Sequence, residues 1–107
     1  MKELPEEFQE GLLWRVEEGD SITIGVTQSA LDQVGSVQGV EMADTGDEFE
    51  AGDWIGELQG KQSLVEILAP YRLRVSERNE ELIEQPAVLE DDPTGDAWLI
   101  RAERLDG

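Results

Sequence analysis

The sequence predicts a small, mostly β domain of the sandwich or barrel type, with helices reduced to short peripheral turns. Three observations lead there. Short apolar stretches recur between turn signals along most of the 107 residues, and one of them alternates strictly. Long amphipathic segments, which a parallel sheet would need as crossovers, are missing. A chain of this length forms one domain and buries about two-thirds of the surface its unfolded form exposes.

The alternating stretch is Ser21 to Val26, where Ile22, Ile24 and Val26 share one face and Thr23 points to the other. Leu12 to Val16 reads as its antiparallel partner, because Glu17-Glu18-Gly19-Asp20 between them has the composition of a tight turn. Thr27 caps a short helix with Ala30, Leu31 and Val34 on its apolar side, and Gly35 ends it. Further strands are expected at Val37 to Met42, Trp54 to Leu58, Leu64 to Leu68 and Tyr71 to Val75. The breaks between them fall at Thr45-Gly46-Asp47, Ala51-Gly52-Asp53, Gln59-Gly60-Lys61-Gln62 and Ala69-Pro70, with Gly46 and Gly52 expected in the turns of one hairpin. A helical turn within Ser76 to Glu84, an acidic loop over Glu90 to Asp96 and a closing strand at Trp98 to Ala102 complete the chain. Residues 1–11 read as an N-terminal extension and 12–107 as the domain.

Charge and composition exclude several functions. Eight Lys and Arg against 26 Asp and Glu leave a net charge of −18, so phosphate neutralisation on a nucleic acid is ruled out. Without cysteine or histidine there is no disulfide, no thiolate or imidazole metal site and no Ser-His or Cys-His pair. No nucleophile with its base is apparent, so no enzyme is expected. Asp91, Asp92 and Asp96 are oxygen donors but lack the spacing of a calcium loop, and no metal is expected on them. The acidity suits a solvated or salt-screened surface, or one that meets a basic partner. With neither a signal peptide nor an apolar run long enough to span a bilayer, a soluble cytoplasmic protein without a membrane partner is expected. Trp14, Trp54 and Trp98 are expected in the core or at its edge, and Arg72 and Arg74 on one strand face beside carboxylates.

Four segments, taken in order, resemble the glycine cleavage system H protein family. They are Ile24-Gly25-Val26-Thr27 leading into Leu31 to Gly35, the Gly46-Asp47 to Gly52-Asp53 stretch, Ala69-Pro70 followed by Asn79, and Asp92-Pro93 to Trp98-Leu99-Ile100. The second resembles the Gly-Asp-x-Val-x-x-Gly hairpin of lipoyl and biotinyl domains. The resemblance implies a barrel-sandwich hybrid that displays a lysine at a hairpin tip. Lipoate is amide-linked to that lysine in the family, and its arm visits the enzymes of glycine cleavage. Such a protein is a carrier and not a catalyst. The chain is expected to lack the C-terminal helical extension usual in the family.

In that family the tip reads Glu-Ser-x-Lys, with the lysine eight residues before the proline of Ala-Pro. Eight back from Pro70 is Gln62, and sixteen forward from Gly46 is again Gln62. The resemblance thus sets Gln59 at the glutamate position, Gly60 at the serine and Gln62 at the lysine. It implies a non-lipoylated relative without a cofactor, acting as a binding or regulatory module for glycine cleavage enzymes or a lipoate ligase. The alternative is a carrier with lipoate on Lys61, the one amine of the tip, shuttling an aminomethyl group. Gly60 is expected to loosen or rotate that tip through a positive φ.

Overall fold

In the computed structural model, which describes residues 6–90 and 98–105, the predicted short strands are present and pack as two sheets. In chain order they are β1 (Glu6–Phe8), β2 (Leu13–Glu18), β3 (Ser21–Val26), β4 (Val37–Met42), β5 (Glu48–Phe49), β6 (Trp54–Gly60), β7 (Leu64–Leu68), β8 (Leu73–Arg78) and β9 (Trp98–Arg104). Helix α1 (Gln28–Val34) follows β3, and α2 (Glu80–Glu84) with a 3₁₀ turn over Pro86–Glu90 follows β8. One sheet has six strands in the order β1-β2-β3-β9-β8-β5, and the other has three in the order β4-β6-β7. None of the described helices is long and apolar enough to cross a membrane.

Local chemistry explains the first half of the chain. β2 and β3 pair antiparallel down to Glu18 opposite Ser21, and Gly19 takes the positive φ of 60° that closes the turn. Ile22, Ile24 and Val26 are buried, as their alternation requires. At Gly25 the ladder to β9 shifts register, and a Cβ there would lie 2.3 Å from the Trp14 ring. The missing side chain lets the indole lie flat on the strand, with Trp14 only 4% exposed. The Thr27 side chain accepts from the Ala30 amide at 3.4 Å and donates to the Gly11 carbonyl at 2.6 Å, so it caps α1 and ties it to the chain ahead of β2.

The core forms where the inner faces of the two sheets meet. Ile24, Val75, Leu99 and Ile100 of the larger sheet and Ile55, Leu58, Val65 and Ile67 of the smaller belong to one buried cluster, which Ala30, Leu31 and Val34 extend into α1. Leu82 of α2 and Leu89 of the 3₁₀ turn complete it.

Three expectations need correction or restriction. Gly46 (φ 97°) and Gly52 (φ 90°) do not lie in one hairpin: they flank β5, which pairs with β8 in the larger sheet while β4 and β6 lie in the smaller. The two turns carry the chain from one sheet to the other and back. Trp54 is not core but 37% exposed, because the β6–β7 register slips between Trp54 and Gly56 and Ile55 takes the inward position. The Asp91, Asp92 and Asp96 set and most of the acidic loop lie outside the described residues.

Arginines are matched to carboxylates along the larger sheet. Arg72 and Arg74 both reach Glu48, at 3.9 and 3.3 Å, as expected. Arg15 and Arg104 flank the Tyr71 ring at 5.9 and 4.3 Å. Burial, with the Glu17 carboxylate beside it, pushes the Tyr71 phenol up to about 12. Its unfolded value is the lower one, so the folded state retains the proton between about pH 10 and 12, and the stability tied to it is lost as pH rises through that window. Melting temperature is expected to fall more steeply over that range for the parent than for Tyr71→Phe.

Candidate functional site at the β6–β7 tip

A hairpin tip needs somewhere to place its backbone N–H groups, and a helix leaves its last carbonyls without partners. Here each supplies the other. The Lys61 amide donates to the Ser36 carbonyl at 2.9 Å and the Gln62 amide to the Val34 carbonyl at 2.8 Å. The Ser63 hydroxyl donates to the Gln33 carbonyl at 3.0 Å, and the Gly60 amide closes the turn onto Ser63 at 3.0 Å. The tip is therefore seated on the C-terminal end of α1, while Lys61, Gln62 and Ser63 remain exposed.

Two glycines make the seat possible. A Cβ on Gly60 would lie 2.3 Å from the Val34 carbonyl oxygen and 2.6 Å from the Val34 Cβ, closer than atoms can approach. Gly60 belongs to β6 and is not among the positive-φ glycines, so its role is close approach and not the rotation expected from sequence. Gly35, at φ 80°, ends α1, and the Gln62 Cγ lies 3.0 Å from where its Cβ would be. The Gln62 side chain thus lies against the helix end.

Gln59 faces its cross-strand partner Gly39, where a Cβ would sit 2.8 Å from the Gln59 Oε1. Its Nε2 donates to Glu57 Oε2 at 2.7 Å. The four tip residues singled out in the sequence are therefore together, with an ammonium at Lys61, amides at Gln59 and Gln62, and bare backbone at Gly60. What sequence reasoning missed is the seat, Gln33 to Ser36, whose link to the tip is long-range. Its one local signal is Gly35, which in the sequence marks no more than a helix end. Among the described residues no group of three His, Cys, Asp or Glu could hold a metal ion.

Two sheets enclosing one core, short helices at the margin and an exposed hairpin tip define the barrel-sandwich hybrid of lipoyl-type domains. The glycine cleavage H-protein family profile matches residues 6–106, and the chain belongs to that family. H proteins are lipoyl carriers and not enzymes. The H protein of Trichormus variabilis is 39% identical over 84 residues, which are 78% of this chain and 65% of that protein. The chain thus spans just under two-thirds of that relative's length. The H protein of Dinoroseobacter shibae is 37% identical over 93 residues, 87% of this chain and 76% of that protein. A crystal structure of the Mycobacterium marinum H protein superposes with a TM-score of 0.83, covering 94% of this chain and 83% of that one at 23% identity. That superposition supports the shared fold.

Proposed function

We propose that this H-protein family member works without lipoate, as a cytoplasmic binding or regulatory module for glycine cleavage enzymes or a lipoate ligase. Gln62 stands where the family places its lysine, and an amide cannot be acylated as an amine can. The observation that carries this reading is the seating of the tip. The Gln62 amide holds the carbonyl of Val34, the last residue of α1, and the Lys61 amide that of Ser36 just beyond it, so moving Lys61 into the place of residue 62 would break two hydrogen bonds of about 0.5–1.5 kcal/mol each. Gly60 adds to this, since the serine of the family motif has no room beside Val34. We take residues 12–107 as the domain and 1–11 as an extension whose β1 pairs with β2 at the sheet edge.

The competing reading is lipoate on Lys61, favoured by that side chain's exposure at the tip. Incubation with lipoate ligase, ATP and lipoate, followed by intact-mass measurement, separates the two. The parent is expected to keep its sequence mass. A lipoyl adduct that disappears in Lys61→Arg would establish the carrier instead, because the guanidinium keeps the charge but is not an equivalent nucleophile.

A further inference from the structure

The outer face of the three-stranded sheet has a composition that its own fold does not explain. In an antiparallel ladder, directly paired residues point to the same side. Glu41 is paired with Glu57 and Glu57 with Glu66, so three glutamates line up across β4, β6 and β7. At a strand spacing of about 4.8 Å they span about 10 Å, and like charges directly opposite destabilise a sheet. The described arginines form their ion pairs with other carboxylates. Arg78, which borders the face beside Trp54, is held by Asp44 at 3.2 Å and Glu80 at 2.8 Å.

The same face carries both of the exposed large apolar side chains among the described residues. Trp54 donates its Nε1–H to Glu57 Oε1 at 3.3 Å, which places the indole on the glutamate side. Leu64, 51% exposed, is paired with Gln59, whose side chain donates to Glu57. An apolar pair flanking three aligned carboxylates is a surface suited to contact, since the apolar groups gain from burial and the carboxylates from opposite charge.

We propose that this face docks a basic protein partner, with Lys or Arg side chains over Glu41, Glu57 and Glu66 and apolar groups against Trp54 and Leu64. Charge selects that occupant: a second copy would set three glutamates against three, and nucleic acids or anionic lipids have the same sign as the face. The proposal rests on the reading of the chain as a binding module and identifies the surface it would use.

The probe is a helical peptide with arginines at i, i+4 and i+8, spaced about 5–6 Å apart like the carboxylates, and flanked by leucines. Calorimetric titration compares the parent with Glu41→Gln/Glu66→Gln, with Trp54→Ala, and with Glu7→Gln/Glu18→Gln, which removes the same charge from exposed positions on the other sheet. The first variant is expected to bind at least tenfold more weakly and to melt no lower than the parent, because repulsion has been relieved. Trp54→Ala is expected to weaken binding at unchanged net charge, and Glu7→Gln/Glu18→Gln to change it less than twofold. Equal losses in the two charge variants, or no binding by the parent, would overturn the proposal. A lipoyl adduct on the parent would overturn the unmodified reading alone, because the ratio between the charge variants does not depend on it.

Discussion

Gln62→Lys is expected to turn the protein from a chain that lipoate ligase leaves untouched into one that it modifies. Residue 62 is exposed at the tip of a hairpin whose backbone is already fixed by the Val34 carbonyl, so the substitution changes an amide to an amine without asking the turn to move. A lysine at this site would extend past Gly35, against which the Gln62 stem already lies. Recognition by the ligase is the harder requirement. On the proposed placement of the motif its glutamate would fall at Gln59, and Gln59→Glu would replace a donor 2.7 Å from Glu57 with a second carboxylate. Like charges at such a surface site cost about 0.2–1 kcal/mol, an amount the fold can absorb as the new side chain swings into water. The double variant Gln59→Glu/Gln62→Lys is therefore expected to be modified more completely than Gln62→Lys. In either background Lys61→Arg is expected to leave the adduct in place. Intact mass after the ligase reaction reads each outcome, and absence of any adduct on the double variant would place the lost recognition outside the hairpin.

The second large effect is on stability. Gly60→Ala would put a methyl group 2.3 Å from a backbone oxygen that cannot retreat without unwinding the end of α1. Overpacking of this kind costs about 1–3 kcal/mol. If the tip lifts away instead, it loses the bonds from Lys61, Gln62 and Ser63 to the helix end, each worth about 0.5–1.5 kcal/mol. Both routes lead to similar totals. At about 4–8 °C per kcal/mol for a domain of this size, the melting temperature is expected to fall by about 10 °C. Hydrogen exchange distinguishes the routes, since the Gln62 amide loses its protection only if the tip has lifted. A variant that melts with the parent would show that the seat is not held closely.

Much of this fold was legible because it is encoded locally. Ile22, Ile24 and Val26 reveal a strand by their own spacing, Thr27 and Gly35 bound α1 by their side-chain and backbone chemistry, and Gly19 marks a turn between two apolar runs. What escaped depends on residues distant in the chain. Gly46 and Gly52 look like the turns of one hairpin until β5 is seen to pair with β8, a choice made by Phe49 meeting Leu73. Trp54 reads as core or core edge because its ring buries much apolar area, yet a slipped register gives the inward position to Ile55. The candidate site divided in the same way. Gln59 to Gln62 could be singled out by counting from Gly46 and Pro70, whereas the reason for a glycine at position 60 became clear only when Val34 was found against it.

Whether the protein works unmodified is read most directly from the intact mass of the protein isolated from the cells that make it. The mass of the bare polypeptide is expected, with tryptic peptides covering Lys61 and Gln62 free of any adduct. A lipoyl group mapped to Lys61 would contradict it and make the protein a carrier with a displaced attachment site.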